Sequence, residues 1–421
     1  MNIDNNIALE KLKKLVAIPS VSTDPERRNK IMEAAEFIRK ELLELGCAVK
    51  FFRYKNYPPV IIGQKIVDKS AKTIGIYAHY DVQPEDPVEK WSSPPFELTK
   101  RGEKLYGRGV ADDKIHLIQS VIAAKNLIER GNLENNLIFI FEGEEEIGSI
   151  HFEELVKKAG AAVGKSDFFY VFDVGMKEKN VPQIFYGLRG VISGELKVKT
   201  GETDLHSGIY GNRVLNPIQA IAELLAKIKD GQTHKIKIPG FYDKVKKISQ
   251  EEIDLLPAES LNSKINPSFE VNGIYSGYTG SGWKSVIPAE ATVKFSLRLA
   301  PNQKPEKIKP MVKKFIESNL SRQVKWELTL SPGSNPFYTD FNNPYTKKTA
   351  KILSNFFGNR CYFNRSGGSI AAAEILQRLF KKPVILTGFT LPDENIHAPN
   401  ENIDEEMFFK GIVAMEGIFS L

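Results

Sequence analysis

Short apolar runs alternate with amphipathic segments along most of the chain. Four runs have the length and composition of buried strands, namely KTIGIYAH (72–79), NLIFIFEG (136–143), DFFYVFDV (167–174) and PVILTGFT (383–390). Segments with helical periodicity separate them, as in 25–45, where apolar residues recur every three or four positions until Gly46. This alternation predicts an α/β fold in which a mixed sheet is flanked by helices.

The middle of the chain has a different pattern, in which half-exposed strands alternate with amphipathic helices. The segments in order are VISGELKVKT, LNPIQAIAELLAKIKD, ATVKFSLRLA, KPEKIKPMVKKFIESNL and VKWELTLS. They predict a smaller α+β domain over 190–334, inserted into a first domain formed by 1–189 and 335–421. The stretch 240–268 has weak periodicity, so we expect it to be irregular.

Composition narrows the class of protein. A chain of 421 residues with 42% hydrophobic and 26% charged residues is typical of a globular two-domain protein. No run approaches the length of a membrane span, and the N-terminus lacks a secretory signal, so we expect a cytoplasmic protein without a membrane partner. Two cysteines, Cys47 and Cys361, exclude a disulfide framework. The formal charge of +6 comes from lysines scattered over amphipathic helices, which argues against nucleic-acid binding.

Acidic and imidazole side chains follow the predicted buried strands. Open α/β sheets bind ligands at the carboxyl ends of their strands. The residues at these ends are His79, Asp81, Glu142, Glu144, Glu145, Glu146, Asp173 and His397, with Asp112 at the start of a helix. Singly, Asp112 could be a helix N-cap, and the run FEGEEEIGS (141–149) could favour the N-terminus of a following helix. Together, without basic residues to neutralise them, they indicate bound metal.

The ligand types restrict the choice of metal. Two imidazoles and several carboxylates suit zinc, with manganese or cobalt as alternatives, better than calcium or magnesium. Two ions that share a carboxylate can activate one water molecule while polarising a carbonyl or phosphoryl oxygen. The ligand chemistry alone therefore fits both an amide hydrolase and a phosphoesterase.

Several motifs resemble those of the M20 metallopeptidases. The metal motifs are HYDVQP (79–84), LYGRG (105–109) followed by DDK (112–114), and EGEEEIGS (142–149). Further matches are WSSPPF (91–96), YGLRG (186–190), DLHSG (204–208), FSLRLAP (295–301), RSGGS (365–369) and His397. The resemblance spans about residues 8–410 and is strongest to the dipeptidase branch, similar to cytosolic nonspecific dipeptidase and carnosinase.

The resemblance implies a di-metal exopeptidase-like catalytic domain with two divalent ions per subunit. It implies that His79 and Asp173 bind one ion, that Glu146 and His397 bind the other, and that Asp112 bridges them. Glu145 is then the general base, which must be anionic to take a proton from water. Asp81 is implied to orient the His79 imidazole.

The resemblance also implies that the inserted domain is a lid through which two copies form a homodimer. His206 of one copy is expected to reach the site of the other and to stabilise the oxyanion. The substrate carboxylate is expected to bind Arg298 together with Gly367, Gly368 and Ser369. Arginine suits that task because its guanidinium can bind a carboxylate with two hydrogen bonds.

The chain departs from the family pattern after Asp112-Asp113-Lys114. Ile115 and His116 stand where the family usually has glycine followed by glycine or proline. We expect His116 to pack on a helix face near the site; the alternative is that it alters substrate access. Within the acidic run, Glu142 is expected to support the site and Glu144 to be solvated.

The predicted function is metal-dependent hydrolysis of the amide bond of dipeptides or short peptides with a free carboxyl end. An M20 deacylase or carboxypeptidase acting on N-acyl amino acids would use the same metals. A metal-bound peptide-binding protein is a non-enzymatic alternative, which the presence of Glu145 disfavours. A phosphoesterase is disfavoured because the expected substrate contacts are one arginine and glycines rather than a phosphate clamp.

Overall fold

The computed structural model describes residues 5–258 and 261–421. The chain divides into two compact units. The first comprises the described residues up to 186 together with 339–364 and 370–421, and the second comprises those of 187–338 together with 365–369. The assignment of one region as catalytic and the other as a lid stays a prediction.

The sheet of the first unit is mixed, as predicted. Its four middle strands are parallel and come from the four apolar runs, in the spatial order Asn136–Glu142, Thr73–His79, Phe168–Val171 and Val384–Leu386. Antiparallel strands extend both sides, with Ala48–Phe52 and Val60–Lys65 on one and Gln183–Leu188 on the other. The expectation of a strand over 383–390 is wrong in extent, because pairing stops at Leu386.

Helices cover both faces of this sheet. One face shares a hydrophobic core with Asn5–Val16, Arg28–Glu44, Lys114–Glu129, Pro344–Phe357 and Glu405–Phe419. The opposite face packs against Phe152–Lys158, Gly160–Val163 and Ala371–Phe380. The ring of Tyr77, for example, lies edge-on to Phe152 at 5.6 Å on that opposite face. Burial on both faces explains why the middle strands are apolar throughout.

Local signals set the helix boundaries. The helix predicted from residue 25 begins at Arg28, because the turn Pro25–Arg27 forms first and is capped by Asp24. Gly46 has a φ of 72°, a left-handed conformation that ends the helical pattern at low cost. Asp404 accepts a hydrogen bond from the backbone N–H of Met407 and caps the last helix.

A small three-stranded sheet lies beside the site in the same unit. Its strands are Asn402–Asp404, Lys104–Tyr106 and Thr99–Arg101 in spatial order. It pairs the segment just after His397 with the segment that leads to Asp112. Two distant parts of the chain are therefore fixed beside each other.

The second unit contains a four-stranded antiparallel sheet. Its spatial order is Ser268–Tyr275, Glu290–Leu299, Gly190–Lys199 and Lys325–Leu330. The helices Pro217–Ile228 and Pro305–Asn319 share a core with it, which agrees with the predicted α+β pattern. The analysis of the pattern missed Ser268–Tyr275, where a register shift between Val271 and Gly273 breaks the alternation.

The remaining elements are short. They are the paired strands Leu205–His206 and Val286–Ile287, the strands Phe337–Tyr338 and Tyr362–Ser366, the helices Ser207–Tyr210, Gln250–Leu255 and Leu261–Ile265, and the 3-10 turns Val88–Lys90 and Glu145–Ile147. Two of these helices lie in the stretch 240–268, which is therefore less irregular than expected. No helix among the described residues is both long and apolar enough to cross a bilayer.

Candidate metal centre

The carboxyl ends of the parallel strands bring the predicted ligands together. His79 is the last residue of its strand, and Asp173 lies two residues beyond Val171 in the neighbouring strand. Asp112 precedes the helix Lys114–Glu129 and points to the same edge. One ligand atom from each of His79, Asp112 and Asp173 lies within 4.8 Å of the other two. These three residues form the buried triad.

The distances in the buried triad are short. His79 Nε2 lies 2.9 Å from Asp112 Oδ1 and 3.7 Å from Asp173 Oδ1. The His79 side chain is completely buried. Its ring and the two carboxylates therefore converge on one small volume.

Asp112 takes part in a second group with Glu146 and His397, which we call the exposed triad. His397 Nε2 lies 2.9 Å from Asp112 Oδ2 and 3.3 Å from Glu146 Oε2. Asp112 therefore presents a different oxygen to each imidazole. The name reflects His397, whose side chain is 51% exposed.

The donor set fits two divalent ions. Asp173 Oδ2 and Glu146 Oε1 are buried and have no hydrogen-bond partner among the described residues. Buried carboxylate oxygens are normally paired, so two such atoms at one edge are what a missing cation would explain. Asp112 is not the N-cap, since Asp113 precedes the helix and no side chain caps that position. Three carboxylates and two imidazoles suit zinc, manganese or cobalt.

Electrostatics in the site reflects this crowding of carboxylates. Burial opposes charging of His79, but hydrogen bonds to Asp112 and Asp173 raise its pKa well above the usual value. Hydrogen bonds to Asp112 and Glu146 raise the pKa of His397 to about 10. Burial raises the pKa of Asp173 to about 7. Protons on the imidazoles thus neutralise the site here, and bound cations would displace them.

Asp81 connects the buried triad to the acidic loop. The Nδ1 atom of His79 lies 3.0 Å from the carbonyl oxygen of Asp81 and 3.4 Å from its carboxylate. The same carboxylate accepts hydrogen bonds from the backbone N–H groups of Glu145 and Glu146, at 3.2 and 3.0 Å. Contact at Nδ1 leaves Nε2 free to act as a ligand.

Glu145 and Glu146 lie in the 3-10 turn that follows the strand ending at Glu142. Gln83 donates a hydrogen bond to Glu146 Oε2 at 2.7 Å and so helps to orient this carboxylate. Burial and the nearby carboxylate of Asp173 raise the pKa of Glu145 well above its usual value. Cations bound beside it would act in the opposite direction.

The other two glutamates of the acidic run are buried. Glu142 accepts hydrogen bonds from Tyr77 Oη at 2.7 Å and Ser149 Oγ at 2.9 Å, and burial raises its pKa to about 8. The expectation that Glu144 is solvated is wrong, because it is 3% exposed and lies 2.9 Å from His151 Nδ1. Residue 151 also stacks on the Tyr54 ring at 4.4 Å. The loop folds back on itself, which the charge pattern could not indicate.

The sequence analysis missed Glu401 and Arg108. The Glu401 carboxylate accepts hydrogen bonds from the backbone N–H groups of Gly109, Ala111 and Asp112, at 2.8 to 3.1 Å. It also accepts one at 2.7 Å from the buried Arg108 guanidinium. The loop of Asp112 is thus held by a residue that follows His397 by four positions. The only signal in the sequence is a glutamate in a predicted site loop.

The remaining predicted residues lie in the second unit. His206 is exposed, and its Nδ1 accepts a hydrogen bond from the Gly208 backbone N–H at 3.1 Å. Arg298 lies on the strand Glu290–Leu299 and has no carboxylate partner among the described residues. The segment with Gly367, Gly368 and Ser369 also belongs to this unit.

A mixed α/β sheet with two ligand triads that share one carboxylate is the arrangement of a two-metal hydrolase. The model of peptidase family M20/M25/M40 matches residues 75–420. The chain therefore belongs to this family and is a metallopeptidase.

Curated relatives and solved structures resemble the chain over most of its length. Cys-Gly metallodipeptidase DUG1 of Candida albicans is 32% identical, with 97% of this chain and 93% of the relative covered. Beta-Ala-His dipeptidase of Homo sapiens is 29% identical, with 86% and 77% covered. The solved M20 family metallo-carboxypeptidase Sso-CP2 from Sulfolobus solfataricus has a TM-score of 0.89 and 28% identity, with 98% of both chains covered.

Proposed function

We propose that the protein hydrolyses the amide bond of dipeptides or short peptides that have a free carboxyl end, with two divalent ions per subunit. The observation that supports this most directly is the pair of triads sharing Asp112 beside Glu145. Zinc is the proposed ion, with manganese or cobalt as alternatives, because imidazole ligands accompany carboxylates. The dipeptidase relatives support the choice of substrate.

Each site residue has a proposed task. His79 and Asp173 hold one ion, Glu146 and His397 hold the other, and Asp112 holds both. Ions bound there would acidify a water molecule and polarise the substrate carbonyl.

Glu145 is the proposed general base. Its carboxylate takes a proton from the attacking water molecule and then delivers it to the leaving amine nitrogen. Asp81 supports this by holding the backbone N–H of Glu145.

His206 of a second copy is the proposed oxyanion donor. Because the Gly208 N–H can only donate, Nδ1 of His206 accepts, and the neutral ring must have its proton on Nε2. The Nε2–H group makes no hydrogen bond within the described residues. It is therefore available to donate to the tetrahedral oxygen.

The substrate carboxylate is proposed to bind Arg298 together with Gly367, Gly368 and Ser369. A guanidinium without a carboxylate partner is suited to this role. The two glycines leave room for a close approach by a ligand.

We also propose a homodimer formed through the second unit. The strand Ser268–Tyr275 is at the edge of its sheet, and Ile274 and Tyr275 on it are 50% and 60% exposed. Trp283 is completely exposed as well. An exposed apolar edge strand is suited to pairing with a second copy.

Mixing two inactive variants tests the dimer and His206 together. His206→Ala and Glu145→Gln homodimers should each be inactive, while their heterodimer contains one site with both residues. Random re-association should restore about a quarter of wild-type activity, because half of the dimers are mixed and each has one intact site. Recovery of no activity, with exchange of subunits verified, would contradict the contribution in trans.

A cytoplasmic location stays a proposal. Cys47 and Cys361 are both buried and unbridged, as thiols are in a reducing compartment. Fractionation of the source cells would test it.

A carboxypeptidase or deacylase is the second candidate. The resemblance to the metallo-carboxypeptidase Sso-CP2 favours it. The decisive assay compares dipeptides, N-acyl amino acids and longer peptides with metal added. Preferred hydrolysis of dipeptides supports the first proposal, whereas cleavage of N-acyl amino acids without dipeptides overturns it.

Glu145→Gln tests the general base. The amide cannot accept a proton, so kcat should fall by a factor of about 100 to 10,000 while both ions stay bound. Metal content and kcat are measured on the same preparation. Exposed Glu154→Gln is the matched control and should retain full activity. Full activity in Glu145→Gln would exclude the role.

A further inference from the structure

His116 occupies an unusual position for an ionisable side chain. It is the third residue of the helix Lys114–Glu129 and is 1% exposed. Its ring packs near Phe172 and Phe389, with ring centroids 6.3 and 6.2 Å away. This agrees with the expected packing on a helix face. Both ring nitrogens are nevertheless paired, which packing alone does not require.

The hydrogen bonds determine the tautomer of His116. The backbone N–H of Phe389 donates to Nε2 at 2.9 Å, and a backbone amide can only donate. Nε2 is therefore unprotonated, and the proton of the neutral ring is on Nδ1. That group donates to Asp113 Oδ1 at 2.5 Å. Burial lowers the pKa of His116 to about 4, in agreement with a neutral ring.

Asp113 passes this constraint to a predicted metal ligand. Its second oxygen, Oδ2, accepts a hydrogen bond from the backbone N–H of His79 at 3.1 Å. Asp113 is also the neighbour of Asp112 in the chain. One carboxylate therefore connects His116 with the backbone of two residues of the buried triad.

The contact with Phe389 reaches the third residue of that triad. A Cβ added at Gly388 would overlap with the carbonyl oxygen of Val174 and with His116 Nε2. Gly175 forms a parallel bridge with Thr390. The segment 388–390 thus packs against the backbone that directly follows Asp173. His116 lies where the segments of all three ligands meet.

We propose that His116 is a positioning residue that fixes the geometry of the buried triad, mainly through Asp113. The inference deepens the proposed two-metal function and rests on it. A glycine or proline at this place would leave the Phe389 N–H and one Asp113 oxygen without this partner. The chain's departure from the family pattern is then part of how its metal site is held.

Two conservative variants separate the two hydrogen bonds. His116→Asn places an amide near the Nδ1 position, so it retains the donor to Asp113 and loses the acceptor for Phe389. His116→Gln places an amide near the Nε2 position and does the reverse. Gln119→Leu is the control, since Gln119 is buried on the same helix and donates to the Phe408 carbonyl, away from the ligands.

Zinc or manganese binding to the metal-stripped full-length chain is measured by calorimetry, with thermal midpoints recorded in parallel. We expect His116→Gln to weaken the tighter binding step about tenfold, a usual effect of removing a partner of a metal ligand. His116→Asn should weaken it by less than about threefold, and Gln119→Leu should lower only the thermal midpoint. The kcat of His116→Gln should recover at saturating metal with KM unchanged.

Either of two results overturns the inference. One is a His116→Gln variant that loses thermal stability like Gln119→Leu but binds metal like wild type. The other is weaker metal binding by His116→Asn than by His116→Gln, which would reject the route through Asp113. Failure of the proposed function is distinct, since wild type itself would then bind fewer than two ions or leave peptides intact.

Discussion

The two triads of the site use the same ligand types in different structural contexts. In the buried triad, His79 ends a central strand, its ring contacts the Asp81 carbonyl, and its backbone N–H is bound by Asp113. In the exposed triad, His397 is in a loop with a φ of 64°, and its ring contacts only Asp112 and Glu146.

The difference shows how the fold distributes preorganisation. A ligand on a paired strand is held before any ion binds, while one on a loop must be ordered at an entropic cost. We therefore expect the buried triad to bind its ion more tightly. Asp112, which serves both triads, is the point at which this comparison can be tested most severely.

Asp112→Asn should have the largest effect. The amide offers one ligand oxygen instead of two, so the variant should bind fewer than two ions and lose at least about 100-fold in kcat. Elemental analysis and kinetics check this. Asp393→Asn, which removes an exposed carboxylate paired with Lys104, is the control and should behave as wild type. Retention of two ions with normal kcat would contradict the sharing.

Histidine variants should separate the two sites. His397→Gln should retain the tight calorimetric step and lose the weak one, because the buried triad is intact. His79→Gln should lose the tight step. A chelator added stepwise to wild type should first remove one ion per chain. The opposite order would mean that burial does not determine affinity here.

Glu401→Gln should weaken both sites instead of one. Glutamine cannot accept from all the N–H groups that hold the Asp112 loop, and it leaves the buried Arg108 without its ion pair. Loss of a buried partner costs about 3–5 kcal/mol of unfolding free energy, and both binding steps should weaken about tenfold. Denaturant unfolding and calorimetry measure these effects. Glu405→Gln, at an exposed pair with Lys100, is the control. A change confined to one step would place Glu401 in only one triad.

The smallest expected effect is a change in pH dependence from Glu394, which holds the loop of His397. Its carboxylate accepts hydrogen bonds from the N–H groups of Leu391 and Asp404, and burial raises its pKa to about 8. The folded state thus retains a proton that the unfolded state loses near pH 4.5, so stability falls as pH rises between these values.

The slope from this group is about 1 kcal/mol per pH unit, that of one proton. Denaturant unfolding of the metal-free protein from pH 5 to 8 should therefore be flatter by that amount in Glu394→Gln. Glu134→Gln, outside this loop, should retain the wild-type slope. Equal slopes in wild type and Glu394→Gln would show that the carboxyl is ionised in the folded state.

The pattern of the sequence predicted much of the fold because the informative segments obey one simple rule. Strands buried on both faces must be apolar throughout, so all four middle strands were identified. The rule failed for Ser268–Tyr275, an exposed edge strand with a shifted register. It also overextended the strand at Val384, because buried loop residues near a site are as apolar as strand residues.

The ligand set was accessible from the sequence because strand ends and motifs both indicate it. The partners of the ligands were not. Glu401 and His116 act through backbone N–H groups that every residue type has, so no residue type at the receiving position reveals them. Glu144 was misjudged because its partner, His151, is brought to it only by the fold of the loop.

By itself, the sequence determined the mixed sheet, the family and the residues with metal-binding chemistry. Those features depend on residue type and spacing along the chain, which are local properties. Only the tertiary structure decided that Asp112 gives one oxygen to each imidazole and that one triad is buried and the other exposed. These properties depend on distances between segments up to 285 positions apart, which no local pattern of residues records.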